Sequence, residues 1–166
     1  MSTLKTTNIQ HPSAGSPAVE LTAAGGLWLG GGKVLQVVRA TDSASQNTTS
    51  TSYVDAGISV TITPEKNTSA VLLIWSLSGQ HTGTADYAQY AITDSSNNAI
   101  PGAEGGYLGS GSTSQDYSQL VIIGYATPAT TSATTYKGRF RSFASGTTGI
   151  SNNAQTGQLF AIEVSA

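Results

Sequence analysis

The chain has 166 residues, no cysteine, a formal net charge of −2 and only 10% charged residues. Disulfide staples and thiolate metal sites are excluded. The one basic cluster, Lys137, Arg139 and Arg141, is too small for phosphate-driven nucleic-acid binding. A chain of this length buries about 70% of its unfolded surface, so a core without staples is expected.

Met1 to Gln10 lack the apolar core of a secretory signal, and the longest apolar run, residues 70–75, is too short to span a bilayer. The expectation is a chain made and kept in a cytoplasm unless lysis or special machinery releases it, without membrane insertion. Residues 1–32 hold Pro12 and Pro17 among polar residues and end in Gly25-Gly26-Leu27-Trp28-Leu29-Gly30-Gly31-Gly32. No 3.6-residue period is present, and the stretch reads as an extended arm with a glycine hinge.

From residue 33 onward the pattern is short β segments between turn clusters. Residues 34–40 predict a first strand and 41–52 a Ser/Thr/Asn loop. Residues 53–63 alternate, with Ile58, Val60 and Ile62 on one face, and Pro64 ends them. Residues 70–77 form a continuous apolar run, expected to be a central strand covered on both faces, with Trp75 in the core. A strand over 87–93 leads into the turn signal Asp94-Ser95-Ser96-Asn97-Asn98. Residues 102–114 read as a Gly/Ser loop, 117–126 and 134–144 as long strands around Pro128, and 158–164 as the closing strand. Such spacing predicts an all-β fold, a jelly-roll-like antiparallel β-sandwich over residues 33–166.

Candidate chemistry is sparse. Ser78, His81 and Asp86 are the only triad-like set, but their spacing fits no known nucleophile–base–acid arrangement and the segment reads as an exposed hairpin loop. The acids are scattered singly, mostly at turns (Asp42, Asp55, Asp94, Glu104), so a glycosidase pair is not indicated. No Cys/His cluster and no Asp-x-Asp loop suggests a metal, and no cofactor is expected. Asn67 to Ser69 matches a glycosylation acceptor only in form. Among the aromatics, Tyr136 and Phe140 share a strand face around Gly138. With Tyr125 they are candidates for a subunit interface, the alternative being one side of the core. Tyr beside Asn and Gln in the 83–89 and 105–117 loops offers stacking surfaces for sugars.

The stretch Met1-Ser2-Thr3-Leu4-Lys5-Thr6-Thr7-Asn8-Ile9-Gln10-His11-Pro12-Ser13-Ala14, followed by Ser16-Pro17-Ala18-Val19-Glu20-Leu21, resembles the N-terminal peptide of marine and cyanobacterial phage virion appendage proteins. Residues 34–38, 53–64 and 70–74 resemble a module of the same proteins. The resemblance implies a homotrimeric jelly-roll head on an N-terminal anchor, located in the virion and attached to other phage structural proteins of capsid or tail. Ile9, His11, Pro12, Pro17, Val19 and Leu21 would then lie along a partner, with Leu27, Trp28 and Leu29 as an apolar plug. No heptads and no shaft separate arm from head. This favours a short capsid decoration (cement) protein over a receptor-binding tail fibre recognising a host glycan.

Overall fold

The computed structural model describes residues 8–9, 19–21, 27–29, 32–83, 86–110, 115–144 and 146–165. In the arm, β1 (Asn8–Ile9), β2 (Val19–Leu21) and β3 (Leu27–Leu29) form an antiparallel ribbon. The head follows with β4 (Val34–Asp42), β5 (Ser45–Thr48), β6 (Val54–Ile62), β7 (Ala70–Thr82), β8 (Asp86–Asp94) and β9 (Ala99–Ser110). It is completed by β10 (Asp116–Ala126), β11 (Thr134–Ser142), β12 (Thr147–Ser151) and β13 (Gly157–Val164).

Two antiparallel sheets face each other. One contains β4-β13-β7-β10 in that order, and the other β6-β11-β8-β9. The chain crosses between them repeatedly, which is the double Greek key of a jelly roll. The small strands β12 and β5 prolong the first sheet. β13 pairs with β7 up to Ser76 and β12 resumes at Gly79. The ladder gap at Ser78 is closed by a side chain, because the Ser78 N–H donates to Asn152 Oδ1 at 3.1 Å.

The core lies between the sheets. Val71, Leu73, Trp75 and Leu77 of β7 meet Ile58, Val60 and Ile62 of β6, Tyr90 and Ile92 of β8, and Tyr136 and Phe140 of β11. Trp75 packs edge-on to Tyr90 at 6.2 Å, and Tyr90 stacks on Phe140 at 6.4 Å, geometries that the aromatic quadrupole favours. The Tyr90 hydroxyl is satisfied by donating to the Gly149 carbonyl at 2.6 Å.

Four expectations need correction. The 102–114 stretch is not simply a loop: residues 102–110 belong to β9, whose register against β8 shifts at two places, as glycine-interrupted strands commonly do. Polar β5 and β12 lie in stretches without a strand signal of their own. β7 does not end at Leu77; hydrogen bonding from β10 and β12 on its two edges carries it to Thr82. Nor is β7 covered on both faces, since Leu72 and Ile74 point away from the core and remain partly exposed.

Gly138 sits beneath Trp75, where an added Cβ would lie 2.8 Å from Trp75 Cζ2 and 2.8 Å from Ile58 Cγ2. Both neighbours are buried ring or branched atoms with nowhere to go. Gly138→Ala should therefore destabilise the head by about 1–3 kcal/mol, read as a lower urea midpoint at unchanged slope.

Candidate functional site

The outward face of the β4-β13-β7-β10 sheet is the most distinctive surface among the described residues. Strand register arranges it in rows. Val37, Ile162, Leu72 and Tyr125 form the first row, and Arg39, Phe160, Ile74 and Ile123 the second. Thr41, Gln158, Ser76 and Val121 form the third. The first row and three-quarters of the second are apolar. Val37, Val121, Ile123 and Tyr125 are each more than half exposed. The one charge on these rows, Arg39, stands at the margin and donates to Gln158.

The opposite sheet is polar outside, as an antiparallel sandwich ordinarily is. Lys137, Arg139 and Arg141 line one face of β11, opposite Ser59, Asp55 and Gln89. Arg139 donates to Asn97 and to the Tyr53 carbonyl. Arg141 donates to Gln89 at 2.7 Å and lies 4.7 Å from the Tyr53 ring centroid. These cations tie loops to the sheet. Tyr87 and Phe143 stack on the same side at 4.2 Å.

Strand β10 is a sheet edge: it pairs only with β7. Edge strands usually carry charge, Pro or a bulge that blocks further pairing. Residues 117–126 of β10 carry none of these.

Of the three aromatics proposed for a subunit interface, Tyr136 and Phe140 are 2% and 1% exposed in the core, whereas Tyr125 is 60% exposed on the outer face. The core alternative thus describes two of them. In the arm, His11, Pro12 and Pro17 lie outside the described residues. Ile9, Val19 and Leu29 occupy one register row of the ribbon, Leu21 pairs with Leu27, and Trp28 pairs with Glu20.

The triad-like set does not assemble. His81 is fully buried on the core side of β7, not exposed in a loop, while Ser78 is on the opposite face. His81 Nδ1 is 3.1 Å from Thr148 Oγ1, and its Nε2 is 3.9 Å from Asp86 Oδ2. Asp86 instead acts as a clamp between loops. It accepts hydrogen bonds from the backbone N–H groups of Tyr87 and Ala144 and from Ser142 Oγ, at 2.7, 2.8 and 2.8 Å, and also from Gly146 N–H. Burial alone would raise its pKa, but these donors outweigh it and hold the carboxyl well below the usual carboxylate range. Glu163 plays a similar part at the other end of the sandwich. Burial pushes its pKa up, yet Gln36 at 2.6 Å and the backbone N–H groups of Glu65 and Lys66 hold it down.

The apolar sheet face is hidden in the sequence because the continuous run 70–77 looks like a strand covered on both faces. The available signal was odd-numbered Val121, Ile123 and Tyr125 alternating with the core set in β10. No protein-family model and no curated protein matches this chain.

Because the folded-state pKa of Asp86 is depressed, its contribution to stability is complete above the ordinary Asp pKa of about 3.9 and shrinks as pH falls below it. Asp86→Asn should cost about 2 kcal/mol or more at pH 7. Urea unfolding should show the gap to the unaltered chain narrowing at about pH 3; an equal gap at both would rule out the charge as its source.

Proposed function

We propose that this chain is a non-enzymatic bacteriophage virion-surface protein, a homotrimer that decorates the particle. In this reading the arm of residues 1–32 joins each subunit to another phage structural protein, and the apolar face of the β4-β13-β7-β10 sheet is buried against neighbouring copies. The observation that carries the assembly is that apolar face, continuous with the unprotected edge of β10.

The scale is appropriate. Four strands about 4.8 Å apart, over a seven-residue overlap at about 3.4 Å per residue, give a flat footprint on the order of 450 Å². Side-chain relief at Phe160, Ile74 and Ile123 and the edge of β10 enlarge it toward the roughly 800 Å² per partner of a stable interface, with Tyr125 left open at its margin. Exposed apolar patches beyond a few hundred Å² are uncommon on monomers. A second copy is the occupant that fits, since the patch carries only one marginal charge and needs no charged complement. The trimeric number, the virion and the anchoring role of the arm rest on the resemblance of residues 1–21. The polar composition agrees with a structural role.

Light scattering of the full chain at micromolar concentration should give a trimer. Ile74→Asp combined with Ile123→Lys should give a folded monomer with an unchanged circular-dichroism spectrum; an unaltered chain that is itself monomeric would remove the assembly. Deleting residues 2–32 should leave a soluble trimer that no longer joins particles, and undiminished incorporation would show that the arm is not the anchor.

A further inference from the structure

At one end of the sandwich, the gap between edge strands β9 and β10 opens into a cleft of about 450 Å³. That end lies opposite the β7–β8 hairpin, because β10 runs from His81 at its start to Val71 at its finish. The walls are Pro101 and Ile100 on one side, and Tyr125, Thr127 and Pro128 on the other. Tyr136, Asp94 and Thr134 complete the cleft. Its volume falls in the roughly 300–1,000 Å³ range of small-ligand sites.

Three features define what it would take. Tyr125 offers an aromatic ring that is 60% exposed at the cleft margin. Asp94, whose Cα is paired with that of Tyr136 across the β8–β11 ladder, has its carboxylate fixed by Ser96 N–H, Asn98 N–H and Asn98 Nδ2 at 2.8, 2.9 and 2.9 Å. The Asn98 side chain, first among these donors, holds that carboxyl below its usual range, so it presents a charged acceptor. Tyr136 is 98% buried (2% exposed), lines the cleft, and its hydroxyl has no hydrogen-bond partner among the described residues. That oxygen is not among the sealed-in polar atoms of the core, so it is open to the cleft and free to bond a ligand in place of solvent.

We infer that this cleft is a binding site for a neutral saccharide, with Tyr125 stacking on a sugar ring and Asp94 and the Tyr136 hydroxyl engaging its hydroxyl groups. The lining has no Lys, Arg or His, which disfavours phosphate and other anions, and Lys137 nearby is bonded to the Ser95 carbonyl. A fixed carboxylate also repels sialic and uronic acids. Alternating apolar and hydroxyl-bearing lining (Pro101, Pro128, Thr127, Thr134, Ser95) suits a pyranose, which presents C–H groups on its faces and hydroxyls around its rim. The site differs from the 83–89 and 105–117 loops in which sequence suggested sugar stacking. It does not rest on the proposed assembly.

The test is ligand-observed NMR and calorimetry on the full chain. The probes are neutral di- to hexasaccharides of hexoses and N-acetylhexosamines, with sialylated and uronate oligosaccharides as the comparison. Neutral probes should bind and anionic ones should bind more weakly. Tyr125→Ala should weaken the best neutral probe about tenfold or more, and Tyr136→Phe, which deletes a single oxygen, about fivefold or more. Absence of neutral binding at about 10 mM, preference for the anionic set, or affinity within about twofold of the unaltered chain in either variant would each overturn the site. Light scattering of the same samples reports the assembly separately. Tyr136→Phe lies in the core, away from the apolar face, so loss of sugar binding with an intact trimer separates the two readings.

Discussion

A two-layer sandwich can cover only one face of each sheet, and strand β7 is apolar on both. Val71, Leu73, Trp75 and Leu77 fill the interior while Leu72 and Ile74 look outward. Much of the molecule follows from that mismatch. The inner set draws in the aromatic stack of Tyr90 and Phe140 and requires a glycine at position 138. The outer set is continued by Ile162 and Phe160 on one flank and Ile123 and Tyr125 on the other, giving a surface whose solvent exposure opposes the same hydrophobic effect that builds the core. The second sheet has no such conflict, and its outer side carries the cations.

Elements with a local signature were legible in the sequence. The alternation of Ile58, Val60 and Ile62 and the stop at Pro64 bracket β6, and the Asp94–Asn98 run is the turn it promised, closed by the Asp94 carboxylate. The all-β class and jelly-roll arrangement were legible from the succession of such segments. Elements created by long-range pairing were not. Ser45–Thr48 and Thr147–Ser151 are polar and short, and become strands only because each finds the other and β7 finds Thr147–Ser151. His81 looks like a loop residue by type, but lies in a strand because β10 and β12 flank it there, and is buried because Thr148 and Asp86 surround it.

The aromatics show the same limit at the scale of the site. Tyr125 and Tyr136 are alike in local sequence, each in a β-rich stretch. One lies on an edge strand facing out and the other in a central strand facing in, a distinction that depends on strand order. Their meeting at one cleft depends on a third segment, Asp94 to Pro101, which is remote from both in sequence. At the far end of the sandwich, the buried Asp86 carboxylate gathers backbone donors from Tyr87, Ala144 and Gly146, as Glu163 does from Glu65 and Lys66 at the end that carries the cleft.

Strand β13 also sets the timetable of folding. Residues 157–164 lie between residues 34–42 and 70–82, so the sheet has a vacant slot at its centre until residue 164 has left the ribosome. During synthesis, β4 and β7 wait without their shared neighbour, and the apolar faces of β7 stay open to other nascent chains. At roughly 5–20 residues per second, closing that interval means waiting several seconds for the intervening residues. A fold dominated by such distant pairings forms slowly. The unfinished sheet is therefore the state in which this chain is most exposed to wrong pairing.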